Sequence, residues 1–377
     1  MQRDRRETNP VFSTRKLKLG TFQTNLDSGC VMSDLPGRLD ITWPNTVALA
    51  KLADDMEFEA IVPVARWQGF GGATNPQGRG FEAYTWAAGI SALTARAGVI
   101  STSHVSLNHP IMAARQSAVI DHISNGRFTL NIVTGWNKPE IDMFGAAMLP
   151  HDERYACTEE WLAILKRLWT EEDAFDFEGK YYKIVRGQMQ PKPLQHPHPA
   201  IMNAGSSDRG RHFAAKHCDV VYTIVRGGGS AADYAAHVEA YRKLARDEYG
   251  RDIRVWTLAN IIQAESEKEA RDFYDYYVHQ KGDWEAAANV IETFMLDVNA
   301  RNIPRERMRA MQEMFIAGWG GFSLIGTKKQ IVDGLLALSR AGLDGVLLCW
   351  PQFEAGMRAF CEVTYPLLQQ AGLRDFT

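Results

Sequence analysis

The sequence lacks an uninterrupted apolar run of about 18 residues, the length that a membrane-spanning helix requires. Its first ten residues, from Met1 to Pro10, are charged and polar, whereas a secretory signal needs an apolar core. We therefore expect a cytoplasmic protein with no part in a membrane. The charges nearly balance, at a formal net charge of −3, so composition gives no reason to expect a nucleic-acid partner.

Cysteine is scarce, with five residues among 377, widely separated and without a Cys-x-x-Cys pair. This spacing argues against a disulfide framework and against a thiolate metal site. Histidine is more frequent, but His196 and His198 have no acidic or cysteine neighbour at ligand spacing. We therefore expect no bound metal.

Several catalytic patterns are also missing. No Ser-His-Asp order and no paired carboxylates stand out, which argues against hydrolysis by a protein nucleophile. No Gly-x-Gly-x-x-Gly fingerprint occurs between a strand and a helix, so the chain has no recognisable dinucleotide site of its own.

The chain does contain a regular alternation of strand-like apolar runs and segments with helical periodicity. Eight strands joined by right-handed crossovers most simply close into a (β/α)8 barrel, and 377 residues suit one such domain over residues 1–377. The predicted strands are 17–23, 58–64, 98–102, 127–133, 200–204, 220–225, 255–264 and 342–350.

Two segments interrupt this alternation. Residues 173–184 read as a small hairpin around Gly179. Residues 281–325 are too long for a simple connection, and they predict a mostly helical insertion before the eighth strand, which would serve as a lid or a dimer element.

The run from Gly126 to Trp136 is the most informative segment, because an apolar strand ends there in Asn131 and Thr134. Buried polar groups need partners, so polar residues at the end of a core strand often belong to a site. Barrel sites form at the carboxyl ends of the strands, where this chain also places Arg66, Trp67 and Thr102 among others. Aromatic and amide side chains together suggest a flat bound cofactor.

A phosphate site is the second expectation. Gly205 to Asp208 connect a strand to a helix, where backbone N–H groups and hydroxyls favour an anion, although a plain helix cap explains Ser207 equally well. Arg154 and Tyr155 would add a charged fork and a phenol; the alternative for Arg154 is a surface ion pair. His104 and His109, after the third strand, either face a substrate or act as caps.

These residues occur in motifs that resemble a known family. The motifs are Arg66-Trp-Gln-Gly-Phe-Gly-Gly72, Ile120 to Phe128, Asn131 to Glu140, His151-Asp-Glu-Arg-Tyr155 and Asn203 to Asp208. Together they resemble the flavin-dependent monooxygenases of the bacterial luciferase-like superfamily. Within that superfamily, they most resemble the pyrimidine and dimethylsulfone monooxygenases. The similarity extends from Lys16 to Leu373.

The resemblance implies a role for each matching residue. Ala65 and Arg66 would border the isoalloxazine of FMN, and Asn131 and Glu140 would hydrogen-bond it. The phosphate would be held by Arg154, Tyr155 and Ser207, and the oxygen or peroxide pocket would consist of Val62, Thr102 and Asn131. The substrate would meet Trp67, His104, Trp136 and Trp350. Thr134 receives no direct role, since a turn-capping hydroxyl is sufficient.

The resemblance also implies the chemistry. Reduced FMN, supplied by a separate NAD(P)H:flavin reductase, and oxygen would form a flavin-N5-peroxide that breaks a C–N, C–S or C–halogen bond in a small heteroaromatic, amide or sulfone. The sequence departs from the pyrimidine monooxygenases at four places where substrate would touch the barrel mouth: Trp67-Gln68, Ser103-His104, Asn108-His109 and 23–25. These departures argue against uracil itself as the substrate. The alternatives are C4a-peroxide chemistry on an alkanesulfonate, a deazaflavin-dependent dehydrogenase and a non-catalytic flavin-binding barrel. A homodimer or tetramer is the family expectation.

Overall fold

The computed structural model describes residues 2–225, 229–298 and 304–375. Eight parallel strands form a closed ring in chain order, because the sixth strand pairs with the seventh and the eighth pairs with the first. The predicted (β/α)8 barrel is therefore confirmed. The strands are β1 (Lys18–Phe22), β2 (Ala60–Val62), β3 (Val99–His104), β4 (Phe128–Val133), β5 (Ala200–Asn203), β6 (Val220–Tyr222), β7 (Arg254–Gln263) and β8 (Gly345–Cys349).

The strand register determines which side chains fill the barrel. Phe22 on β1 and Tyr222 on β6 meet across the interior, with ring centroids 5.5 Å apart. Because side chains alternate along a strand, Val62 on β2 shares the inward face with its partner Phe22. Thr102 on β3 pairs with Asn131 on β4. On β3 and β4, the inward positions near the carboxyl edge are thus polar.

Helices surround the barrel and begin with side-chain caps at several points, including Thr42, Ser207 and Thr327. They are α1 (Trp43–Asp55), α2 (Ala83–Leu93), α3 (Pro110–Ile123), α4 (His151–Thr170), α5 (Asp208–His217), α6 (Ala231–Tyr249), α7 (Lys328–Arg340) and α8 (Phe353–Ala359, continued by Phe360–Thr364 and Tyr365–Gln370).

The helical insertion lies between β7 and α7 and begins before the predicted residue 281, because two further helices precede that position. It packs as a second apolar cluster. It contains the helices Glu267–Asp275, Tyr276–Gln280, Trp284–Val298 and Arg305–Gly318. It ends in the strand Phe322–Gly326, which the sequence pattern did not reveal and which pairs with the second half of β7. That strand is short and half-buried, so its apolar alternation is weak.

Smaller elements lie outside the ring. The predicted hairpin is present as Phe175–Glu178 and Lys183–Gly187. The first residues form a two-residue strand, Arg3–Asp4, against Gln195–His196, followed by the short helices Arg5–Thr8 and Pro10–Phe12. A further short helix, Lys138–Met143, follows β4. In the part of the chain that the structure describes, no helix is long and apolar enough to cross a bilayer.

The C-terminal segment is fixed to the start of the barrel by a buried ion pair. The Arg374 Nη1 atom lies 2.6 Å from Glu59 Oε2, and both side chains are fully buried. Arg15 Nη1 donates to the same carboxylate at 3.0 Å, and Leu19 N donates to it at 2.8 Å. The carboxylate therefore joins β1, the start of β2 and the C-terminal segment.

Removal of one partner of this pair should be costly. Arg374→Met leaves Glu59 buried without its principal cation, and we expect the free energy of unfolding to fall by about 3–5 kcal/mol. Urea unfolding measures this. The double variant Glu59→Gln with Arg374→Met removes both charges and should recover part of the loss; equal loss in single and double variants would contradict this account.

A partly buried histidine gives the fold a pH dependence. Burial, reinforced by nearby Arg5, lowers the pKa of His198 to about 3, and its Nδ1 donates to Pro199 O at 2.8 Å. The unfolded chain binds a proton near pH 6.5, whereas the folded chain does not. Stability from this residue is therefore present above pH 6.5 and is lost as pH falls toward 3.

We accordingly expect the free energy of unfolding to decrease between pH 7 and pH 5, and to decrease less in His198→Gln, which cannot titrate. Urea unfolding at both pH values measures the difference. The exposed His122→Gln serves as a control, and an identical pH slope in wild type and His198→Gln would rule out this assignment.

Candidate functional site

Three of the predicted residues meet at the carboxyl ends of β2, β3 and β4. Asn131 Nδ2 donates to Thr102 Oγ1 at 3.1 Å, and that hydroxyl donates to Pro63 O at 2.7 Å, next to Val62. Asn131 Oδ1 is buried and has no hydrogen-bond partner. An unpaired buried acceptor is costly, so the amide oxygen is available to a donor on a ligand.

Arg66 and Glu140 form a buried ion pair beside this group. Arg66 Nη1 lies 3.2 Å from Glu140 Oε1, and both side chains are almost inaccessible to solvent. The same carboxylate oxygen accepts from Trp67 N at 2.7 Å and from Gln68 N at 3.2 Å. Glu140 Oε2 has no hydrogen-bond partner and is buried. Glu140 therefore fixes the loop after β2 and retains one free acceptor.

Aromatic rings surround the guanidinium of Arg66. Its carbon lies 4.8 Å from the centroid of Phe70, 5.2 Å from that of Trp136 and 5.9 Å from that of Trp319. Trp136 stacks on Phe294 of the insertion, with centroids 3.9 Å apart and planes 7° apart. The insertion thus covers the Arg66 end of the site, as a lid would. Such contacts stabilise a buried cation.

His104 faces the same carboxylate from β3. It lies two positions after Thr102, so both side chains are on the inward face, and its Nδ1 is 4.0 Å from Glu140 Oε2. Burial, reinforced by Arg66 and opposed by Glu140, lowers the pKa of His104 to about 4. The imidazole is therefore neutral at pH 7.

Ala65 and Trp67 flank Arg66 in the loop after β2. Trp67 is 43% exposed and packs edge-on against Phe144, at 5.0 Å between centroids. The structure does not bring Trp350 into this group. Its neighbour Cys349 faces Asn260 inside the barrel, so Trp350 points outward and packs against Phe353 and Phe360 of α8.

Two of the three predicted phosphate residues, Tyr155 and Ser207, lie together at the start of α5. Ser207 caps this helix by accepting from Gly210 N at 3.0 Å. A Cβ atom at Gly205 or Gly210 would come within 2.8 Å or 2.5 Å of the Tyr155 hydroxyl, so only glycine admits the phenol here. Arg154 is buried and donates to Gly135 O. A helix N-terminus, a hydroxyl and a guanidinium suit a phosphate.

Two glutamines also belong to the mouth of the barrel. Gln23 lies in the stretch 23–25, where the sequence departs from the pyrimidine monooxygenases, and Gln77 is a residue for which the sequence indicates no role. Gln77 Oε1 accepts from Arg66 Nε at 3.0 Å, and Gln77 Nε2 donates to Gln23 Oε1 at 2.7 Å. Both glutamines have a φ of 62°, a left-handed conformation that is unusual outside glycine. Residue type alone does not indicate such a conformation.

Asn260, within β7, has a structural role. Its Nδ2 donates to Tyr277 Oη at 3.0 Å and to Ala317 O, which attaches the insertion to the barrel. Among the described residues, no three metal-binding side chains converge.

Comparison with known proteins identifies relatives that are consistent with a flavin site. A family model described as luciferase-like monooxygenase matches residues 22–345. A pyrimidine monooxygenase of Cronobacter turicensis is 29% identical over 374 residues, covering 98% of this chain and 97% of its own. An FMNH2-dependent dimethylsulfone monooxygenase of Pseudomonas putida is 30% identical, covering 95% and 96%. The structure of a long-chain alkane monooxygenase has a TM-score of 0.84 at 22% identity, covering 97% and 94%.

The Trp136–Phe294 stack makes a testable connection between the barrel and the insertion. An aromatic pair contributes about 0.5–1.5 kcal/mol beyond its buried area. We therefore expect Trp136→Ala to accelerate amide hydrogen exchange in residues 284–294 by roughly tenfold, with the barrel strands unchanged. Trp67→Ala, at an exposed tryptophan nearby, is the control. Unchanged exchange in Trp136→Ala would refute the lid contact.

Proposed function

The chain belongs to the luciferase-like monooxygenase family, as its motifs predicted, and from this membership we propose that it is an FMN-dependent monooxygenase. Reduced FMN would come from a separate NAD(P)H:flavin reductase. The proposed reaction uses O2 to oxygenate a small heteroaromatic, amide or sulfone and to break its C–N, C–S or C–halogen bond. We further propose a cytoplasmic homodimer or tetramer.

The observation that carries this proposal is the pair of buried acceptors without partners, Asn131 Oδ1 and Glu140 Oε2. A flavin ring has N–H groups that would satisfy them, so the donor set fits the cofactor. Ala65 and Arg66 would border the ring. At the other end, Arg154, Tyr155 and Ser207 would hold the phosphate, where the glycines leave room beside the phenol.

Bound reduced FMN would supply the electrons that activate O2. The residues of the chain would shape the place where this happens. Val62, Thr102 and Asn131, all buried, would line the oxygen pocket, where a hydroxyl and an amide can stabilise negative charge without acting as strong acids. Trp136 and the insertion would exclude water.

The electrostatics favour an uncharged substrate. The charges of Arg66 and Glu140 balance, and His104 is neutral at pH 7. These groups therefore offer a sulfonate anion no net positive charge, which disfavours the alkanesulfonate alternative. Trp67, His104 and Trp136 would contact the substrate at the mouth of the barrel.

The test uses the purified protein, FMNH2 and 18O2 with heteroaromatic, amide and sulfone compounds, uracil and dimethyl sulfone among them. We expect FMN binding, measured by flavin fluorescence, and one labelled oxygen atom in a product, measured by mass spectrometry. Absence of FMN binding would overturn the proposal. Activity only with a deazaflavin, or tight flavin binding without turnover of any compound, would favour the corresponding alternative.

A second experiment addresses the pocket. Thr102→Val keeps the shape of the side chain but removes the hydroxyl beside Asn131, and we expect a loss of about 100-fold in oxygen transfer with little change in FMN affinity. Thr134→Val, directly after the neighbouring strand β4, is the matched control. Wild-type turnover in Thr102→Val would remove this residue from the proposed pocket.

A further inference from the structure

A second concave region lies at the opposite end of the barrel, where β1 and β7 begin. It is a cavity of about 290 Å³ lined by Lys18, Arg242, Arg246, Asp252, Ile253, Arg254 and Asp344. Four of these residues are cationic and two are acidic. Since the proposed flavin site is built at the carboxyl ends of the strands, this cavity is separate from it.

The two carboxylates do not neutralise the four cations. Asp344 Oδ2 lies 2.9 Å from Arg242 Nη2 and also accepts from Val255 N at 2.8 Å. Arg246 pairs outside the cavity, with Asp247 at 3.4 Å and Glu239 at 3.5 Å. Lys18 and Arg254 remain as the two cations of the cavity that form no ion pair within the described residues.

Lys18 is 5% exposed, and its ammonium donates to Arg15 O at 2.9 Å. Among the described residues, no carboxylate oxygen lies within 4.0 Å of it. The guanidinium of Arg254 lies over the ring of Phe12, 4.7 Å from the centroid. It makes no hydrogen bond or ion pair with any residue in the described ranges. Burial lowers the pKa of both residues, an effect that Asp344 opposes.

We propose that this cavity binds a tetrahedral oxyanion of the phosphate or sulfate class between Lys18 and Arg254. Lys18 is withdrawn from water and Arg254 is partly withdrawn; such a cation without a counter-ion is costly, and an oxyanion would satisfy both donor groups at once. The guanidinium presents several N–H groups in a plane, a geometry that suits such an ion. Asp252 and Asp344 also line the cavity, but Asp344 is paired with Arg242, and a volume of about 290 Å³ suits a small anion.

The test is calorimetric titration of the full-length protein with inorganic phosphate, and separately with sulfate, at constant ionic strength in chloride buffer. We expect saturable binding with one ion at this cavity. Arg254→Gln should weaken that binding by at least tenfold, and the exposed, distant Arg358→Gln should not change it.

Phosphate also suits the Ser207 end of the barrel, so each titration is repeated with saturating FMN. The Arg254-dependent binding should persist there, and it would persist even if the protein were not a monooxygenase. Lys18→Met should weaken anion binding as Arg254→Gln does. If Lys18→Met does not fold, Arg254→Gln keeps the test decisive. No saturable binding, or equal binding in wild type and Arg254→Gln, would overturn the proposal.

Discussion

The ion pair between Arg66 and Glu140 is the interaction on which the site depends. Two charges withdrawn from water are favourable only when the remaining donors and acceptors are satisfied. Here Glu140 Oε1 accepts two backbone N–H groups, and the guanidinium has Gln77 and aromatic faces as further partners. The pair therefore fixes the loop after β2, the short helix after β4 and the aromatic rings together. Glu140 Oε2 is left for a ligand.

Barrel closure explains why residues distant in the sequence act together. Parallel strands present their carboxyl ends at one edge, which places Thr102 beside Asn131 through strand register. The insertion closes the same edge, because Asn260 holds Ala317 and Phe294 stacks on Trp136. The opposite edge has a different chemistry, with buried ion pairs and an excess of cations. One barrel thus separates the proposed catalysis from the proposed anion binding.

Predictions from the sequence succeeded where one local signal was strong. The eight strands follow from apolar runs, and the position of Asn131 follows from a polar residue at the end of a core strand. Trp350 shows the limit, because a shift of one residue along a strand changes the face of the barrel. Its neighbour Cys349 points inward and Trp350 does not. The contacts of Gln23 and Gln77 were not predictable, because they require left-handed backbone and partners far along the chain.

The sequence by itself determined the barrel, the family and the residue types at the strand ends. Apolar periodicity and short motifs are local properties, so they can be recognised without a structure. The tertiary structure decided which polar atoms remain unpaired, since pairing depends on contacts across strands and loops. It placed the free oxygens of Asn131 and Glu140 at one mouth of the barrel. It also left Lys18 and Arg254 without counter-ions at the other, because burial and distance arise only when the chain is folded.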